Sequence, residues 1–504
     1  MIAASIAALC LLRRIETLDP VNSGGDAAIK WQFVREWFYL HDFAHAEWNH
    51  HMTRFGVLVP AYFAQRWLGH GLKAYYALPI AASAVQAVFV YACGKLLSGR
   101  LAGVLAALLL IYASFMATAG CQVLPDLFTG TYGIVMLYVY LRYSDAQGRE
   151  RLGWLAGCAL VAFIGYLAKE TMVFFYPGMA IAIWMAKGRR LRELLFFFGL
   201  LLLGVVLETA AYRTFTDYHS RFAVVVASHV GSGEEAAHSN VVTFWGLFDR
   251  YLHVDKGWVV AFYIFLPCWF GMLGLTRNFR VRATVAVVGS FFFCLTFVVR
   301  SVNPIQLWHR FMSRYLDPTA PFVELVTGLF LALILNQIWE QRGSGRPWQL
   351  LDRLKPFGAA FVLVLSLVLG WHSYSATKDQ GNDHAYAVAR QLAKVANDAY
   401  RRNLPIVIRR ARSPLYARDL ETLYAIYMDT RPLLRDGRLP AFAEAKRATS
   451  ALTYLVRDPG LYDGAKVSRL MEAGCALELR EKNPFMSGST SVELPDTCDA
   501  LSAN

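Results

Sequence analysis

KGRRLRELLFFFGLLLLGVVLETAA, Lys187 to Ala211, is the stretch whose reading decides the fold. Four cations crowd its first six residues. From Glu193 to Ala211 the chain is then almost wholly apolar, close to the ~20 residues that a helix needs to cross the hydrocarbon of a bilayer. Cations stay on the cytoplasmic side when a helix inserts. The stretch therefore reads as a membrane helix entering from the cytoplasm, with Glu208 near its outer end.

Working outward, comparable runs recur at about 1–12, 73–97, 101–119, 123–141, 152–168, 172–187, 257–275, 283–299, 316–337 and 357–375, which makes eleven spans with 193–211. The composition agrees: 56% of residues are hydrophobic and 17% charged, against roughly 25% charged in soluble domains. The first run, MIAASIAALCLL, is short for ~30 Å of hydrocarbon at 1.5 Å per residue. It has the length of a signal-peptide core, but no AxA-like site follows, so a first helix lying shallow in the bilayer or with a clipped start is expected.

Alternate loops carry the positive charge: Lys95 and Arg100; Arg142, Arg149 and Arg151; Lys187, Arg189, Arg190 and Arg192; Arg277, Arg280 and Arg282; Arg342, Arg346, Arg353 and Lys355. These share a side, the cytoplasm, although Arg13 and Arg14 run against the rule. The net charge of +13 thus reflects orientation rather than a nucleic-acid surface. Segments 13–72, 120–122, 169–171, 212–256, 300–315 and the tail from 376 fall outside. The expected organisation is a membrane domain, 1–375, with a long first outer loop, 13–72, and a small soluble α/β domain, 376–504. In that tail HAYAVARQLAKVANDAYRR has helical spacing, and LPIVIRR and ALTYLVR are strand-like. Cys475 and Cys498 lie in the polar tail and could pair if that tail is in an oxidising compartment. The other six cysteines lie in or beside apolar runs and read as packing residues. No Walker or dinucleotide glycine motif is present.

Charge at the membrane boundary needs a reason, because inserting it costs about 2.5–3.5 kcal/mol per group. Asp26, after Gly24–Gly25, reads as a general base or a hydroxyl-orienting acid, or else as the N-cap of AIKWQFVREWF. Asp126 in CQVLPDLFTG heads an apolar run, where it faces an outer cavity or caps the helix dipole. Arg54, Lys169, Arg300, Arg310 and Arg314 put positive charge on the outer side, suited to an anion or to snorkelling towards headgroups. His41 and His45 have the spacing of metal ligands, but an amphipathic interfacial helix explains that segment equally well. His50, His51, His309 and Tyr315 are candidates for contacting substrate or a divalent cation. Together these groups suit transfer from a lipid-linked phosphate, with the phosphate as leaving group.

The motifs GGDAAIKW (Gly24–Trp31), HHMTRFGVLVPAYFAQRWLG (His50–Gly69), LPDLF (Leu124–Phe128), LAKE (Leu167–Glu170) and RYLDPTAP (Arg314–Pro321) resemble, in order and sidedness, the GT-C superfamily of integral-membrane glycosyltransferases. That superfamily includes the protein O-mannosyltransferases and the lipid A aminoarabinose transferase. Asp26-Ala27 stands where many relatives have Asp-Glu, and Arg54-Phe55-Gly56 where the aminoarabinose transferase pattern has Lys-Pro-Pro. The resemblance implies a GT-C-like helical membrane protein and a polyprenyl-phosphate-linked sugar donor. It implies a lipid, glycan or protein acceptor, used on the periplasmic face of the bacterial inner membrane. It gives Asp26 and Asp126 catalytic roles, and Arg54, Lys169, Arg310 and Arg314 the donor phosphate. A flippase for lipid-linked sugars would predict inverted repeats and broken mid-bilayer helices, and no repeat stands out. A glycan polymerase or ligase shares the same phosphate logic with a larger donor.

Overall fold

The computed structural model describes residues 1–18, 27, 30–31, 33–34, 50–69, 71–186, 190–215, 219–230, 245–249, 251, 254, 256–297, 299–302, 305–307 and 313–340, and the strand residues 406–409, 441–444, 452–456 and 477–479. They fall into two compact units. One comprises Met1–Thr17, Trp48–Val57 and Ile80–Gln380; the other comprises Leu18–Glu47, Leu58–Pro79 and Gly381–Asn504.

The helices are α1 (Ile2–Glu16), α2 (Phe55–Leu68), α3 (Leu72–Ser98), α4 (Arg100–Tyr112), α5 (Phe115–Ala119), α6 (Pro125–Asp145), α7 (Gly148–Ala168), α8 (Tyr176–Met185), α9 (Arg190–Phe215), α10 (Arg221–Val230), α11 (Gly246–Asp249), α12 (Lys256–Leu275), α13 (Phe279–Phe297) and α14 (Ala320–Glu340). Among the described residues six of them are long and apolar enough to cross a bilayer. The chain is a multi-pass membrane protein. The span read at 357–375 lies outside the described residues.

Two expected spans are broken, each for a local reason. The run 101–119 divides at Ala113, whose extended backbone (φ −60°, ψ 125°) ends α4; Phe115 then stacks on Trp258 with ring centroids 3.9 Å apart. The run 172–187 opens with a 3-10 turn, Glu170–Phe175, before Pro177 in the first turn of α8.

The first unit is organised around α6. Its side chains are buried along almost the whole helix, and its hydroxyls bond back into the helix, Thr129 to the Pro125 carbonyl (2.8 Å) and Thr131 to the Leu127 carbonyl (2.9 Å). That removes the cost of burying them among apolar neighbours. Helix α9 is the opposite case. Leu195, Phe196, Leu202, Leu203, Val206 and Leu207 stand exposed along it, which is stable only where the surroundings are lipid. Small residues permit close approach elsewhere: a Cβ on Gly328 of α14 would lie 2.6 Å from the Ala106 backbone of α4, the packing expected where hydrophobicity alone does not drive helices together.

In the first unit the basic ends of four helices meet. At the basic end, Arg151 bonds Glu193 (2.7 Å), Tyr143 donates to the same carboxylate (2.7 Å), and Arg280 pairs with Asp145. These contacts tie α6, α7, α9 and α13 together. Arg14 on α1 is buried, donates to the Leu110 carbonyl (3.3 Å) and lies against Gly120. Its departure from the charge rule therefore has a packing explanation.

In the second unit, Gln65 donates to the Trp31 carbonyl (2.8 Å) and Trp31 meets Tyr75 edge-on at 5.5 Å. Four strands, β3 (Ile406–Arg409), β4 (Ala441–Glu444), β5 (Leu452–Val456) and β6 (Leu477–Leu479), form one sheet in the order β4-β5-β3-β6. β3 is antiparallel to β5, with Ile406 opposite Leu455, and parallel to β6. β3 and β5 are the two runs that read as strands; the helical stretch 384–402 lies outside the described residues. In the first unit, β1 (Val299–Val302) and β2 (Ile305–Leu307) form a hairpin between α13 and α14.

Candidate active site

Helices α6 and α7 are antiparallel neighbours joined by the short link Ala146–Gln147. The N-terminus of α6 and the C-terminus of α7 therefore share an end, opposite the basic loops. Leu124 is extended (φ −92°, ψ 135°), Pro125 starts α6, and Asp126 stands in its first turn, where the helix dipole favours a carboxylate. α7 ends at Ala168, and Lys169 turns out in extended backbone (φ −160°, ψ 144°). The result is a buried ion pair, Lys169 Nζ to Asp126 Oδ1 at 2.5 Å. Burial pushes the Lys169 amine below the ordinary lysine value; Asp126 pulls it up, and Arg54 and Arg314 push it down again.

Arg54 immediately precedes α2 and is buried, 7% exposed. Its Nε and Nη1 have no hydrogen-bond partner among the described residues. The backbone that carries it is pinned: Tyr132 of α6 donates to the Gly56 carbonyl at 3.0 Å, and Gly56 packs so tightly on α7 that a Cβ there would lie 2.5 Å from the Ala168 nitrogen and 2.6 Å from the Ile164 carbonyl. From the other side comes the turn before α14. The Lys169 ammonium lies 4.8 Å from the Tyr315 ring centroid, with the Arg314 guanidinium 5.7 Å from the same centroid. Asp317, buried, accepts a hydrogen bond from Trp258 Nε1 at 3.1 Å.

Of the residues singled out in the sequence, Asp126, Arg54, Lys169, Arg314 and Tyr315 are thus drawn to one end of one unit. The His50 and His51 rings meet at a tilt of 43°, with centroids 3.9 Å apart, just before Arg54. Asp26, His309 and Arg310 lie outside the described residues; Arg300 belongs to β1. Among the described residues, no three His, Cys, Asp or Glu side chains gather to hold a metal ion. Three buried or half-buried groups escaped the sequence reading. Asp317 sits inside the RYLDPTAP motif, where spacing does not separate it from an ordinary turn residue. Glu170 and Arg221 are 51 positions apart and meet at 2.8 Å, a pairing that only the fold produces.

The arrangement can bind an anion and stabilise charge that develops on it. Buried guanidinium and ammonium donors at fixed positions do this with little reorganisation, and arginine's planar fork matches phosphate oxygens.

The comparisons with known proteins bear on the same region. A family model for dolichyl-phosphate-mannose-protein mannosyltransferase matches residues 62–211, which include Asp126 and Lys169. No protein of curated function matches the chain in sequence. Among solved structures, ArnT from Cupriavidus metallidurans bound to undecaprenyl phosphate is similar, at 12% identity and a TM-score of 0.56, over 86% of this chain and 87% of that one. The apo state of the same protein gives 13% identity and a TM-score of 0.52 over 84% of each chain. The chain therefore resembles the GT-C superfamily of integral-membrane glycosyltransferases, in sequence over residues 62–211 and in fold over most of its length.

Proposed function

We propose that this protein is a glycosyltransferase that moves a hexose or pentose from a polyprenyl-phosphate donor to a lipid, glycan or protein acceptor. In this reading the work is done at the periplasmic face of the bacterial inner membrane, by the membrane domain 1–375, with 376–504 as an extracytoplasmic domain. The observation that carries it is Arg54: a buried guanidinium with two unpartnered nitrogens, beside a buried Lys169–Asp126 pair, at the end of a membrane bundle away from its basic loops. Buried donors that meet no partner among the described residues are costly, and an anion that arrives would satisfy them. The relative whose fold matches was solved with undecaprenyl phosphate, which has the required chemistry.

In the proposed reaction an acceptor hydroxyl or amine attacks the anomeric carbon of the donor sugar. The bond from that carbon to the phosphate oxygen breaks, and its electron pair leaves with the polyprenyl phosphate. The acceptor proton passes to Asp26. Arg54, Lys169, Arg310 and Arg314 stabilise the charge gathering on the leaving phosphate. Asp126 assists Asp26 or fixes the donor sugar, and its bond to Lys169 keeps that ammonium charged and aimed; Tyr315 flanks it. His50, His51 and His309 are held for acceptor contacts or a divalent cation.

The test is to reconstitute the purified chain in nanodiscs with radiolabelled polyprenyl-phosphate pentoses and hexoses, adding candidate acceptors. Release of lipid phosphate with transfer of label is expected, and it should collapse in Asp26→Asn. Movement of intact donor across a proteoliposome membrane without cleavage would instead establish a flippase. Full turnover by Asp26→Asn at normal protein levels would remove the base role.

A further inference from the structure

Beside the proposed site lies a buried ionic group that the reaction does not use. Arg221, at the start of α10, is 2% exposed. Its Nη2 and Nε both donate to one oxygen of Glu170, at 2.8 and 3.2 Å, and its Nη1 donates to the Tyr166 carbonyl at 2.7 Å. The Glu208 carboxylate lies 3.7 Å away. Glu170 directly follows Lys169, and its side chain is 36% exposed. Both Arg221 donors reach the same Glu170 oxygen, so the rotamer that this carboxylate holds depends on that guanidinium.

The next cation within its influence is Arg54. Gly56 packs directly on Ala168, two residues before Glu170, and Phe55 packs on Tyr212 of α9, with ring centroids 6.3 Å apart. The Glu170 carboxyl is itself pulled down to about 2; burial opposes this, Arg221 drives it, and Arg54 adds to it. The Glu170 carboxylate therefore stands within the influence of Arg54 while already bonded to another cation, Arg221. A carboxylate that took the two unpartnered nitrogens of Arg54 would occupy the place of a phosphate.

Resting on the phosphate site proposed above, we infer that Arg221 is a positioning residue that draws Glu170 away from Arg54 and so keeps Arg54 open to the donor phosphate. Helix α10 then matters to catalysis without touching substrate, as the element that delivers this guanidinium.

The experiment is a double-mutant cycle read by binding of undecaprenyl phosphate to the full chain in nanodiscs, with turnover measured alongside. Arg221→Gln should weaken binding about tenfold, within the range of coupling between charged neighbours, and raise KM more than it lowers kcat. Glu170→Gln alone should bind the lipid phosphate as tightly as the parent or more tightly. Adding Glu170→Gln to Arg221→Gln should return affinity to within about twofold, since the competing carboxylate is gone. Arg221→Lys should rescue in part. Unchanged binding in Arg221→Gln, or a double variant as weak as Arg221→Gln, overturns the inference. If Arg221→Gln does not fold, Glu170→Gln decides alone: weaker binding there means that Glu170 supports the site and does not threaten it. Arg54→Ala run in parallel separates the two levels. If Arg54→Ala leaves binding unchanged, the phosphate site itself is misplaced, whatever Arg221 does.

Discussion

Arg54 and Lys169 differ in what they already hold, and their variants should differ accordingly. Arg54 has unspent donors in a buried place. Arg54→Gln should therefore cost about 10²–10³ in turnover, the loss seen when one charge-stabilising donor is removed. Its thermal midpoint in detergent should change little, because the two nitrogens concerned make no hydrogen bond among the described residues. Lys169 is instead committed to Asp126 at 2.5 Å. Lys169→Gln strands that carboxylate and should destabilise by about 3–5 kcal/mol; adding Asp126→Asn should restore most of the midpoint while activity stays low. Lys169 also supplies a pH signature. Its amine is held below the ordinary lysine value, so it loses its charge at lower pH than a free lysine would. If that charge is needed, turnover falls on the alkaline side, and in Lys169→Arg the fall should move to higher pH. A profile identical in the two proteins would show that this group does not set the limb.

At the scale of elements, the site is a product of antiparallel packing. α6 and α7 deliver Asp126 and Lys169 because a two-residue link turns one helix back on the other, and the Gly56 contact seats the Arg54 backbone on the same end. Gly56→Ala should push α2 from α7, since the Cβ would meet backbone atoms that cannot rotate aside. A loss of about 1–3 kcal/mol is expected for such overpacking, together with impaired turnover. Gly157→Ala on the same α7 is the control: its Cβ would be 3.6 Å from Val139 Cγ1, an ordinary contact, and it should leave both midpoint and turnover unchanged. Equal behaviour of the two variants in a melting experiment would remove Gly56 from this role.

At the scale of the whole molecule, the distribution of charge separates two sides. The cationic loops and the candidate site stand at opposite ends of α6 and α7. A membrane-impermeant maleimide should label His219→Cys, at the site end, in intact cells, and Gln147→Cys, at the basic end, only after lysis. The reverse pattern would place the site on the cytoplasmic face and end the periplasmic assignment. Exposed leucines and phenylalanines along α9 add that this helix borders lipid, so the chain should require detergent or nanodiscs throughout purification.

The sequence alone determined that this chain lives in a bilayer, which of its loops are basic, and that acids and cations cluster on the other set of loops. These are properties of runs and alternation, and hydropathy and charge report them without any three-dimensional information. It also sufficed to mark Asp126, Arg54, Lys169, Arg314 and Tyr315, because each stands at the boundary of an apolar run where charge is conspicuous. Partners were another matter. That Lys169 is bound to Asp126 while two Arg54 nitrogens meet no partner among the described residues, that Arg221 holds Glu170 from 51 positions away, and that Asp317 is buried against Trp258 were decided only by tertiary structure. An ionic contact depends on distances of a few ångströms between chain segments far apart in sequence, and nothing in the order of the residues fixes those distances until the helices have packed.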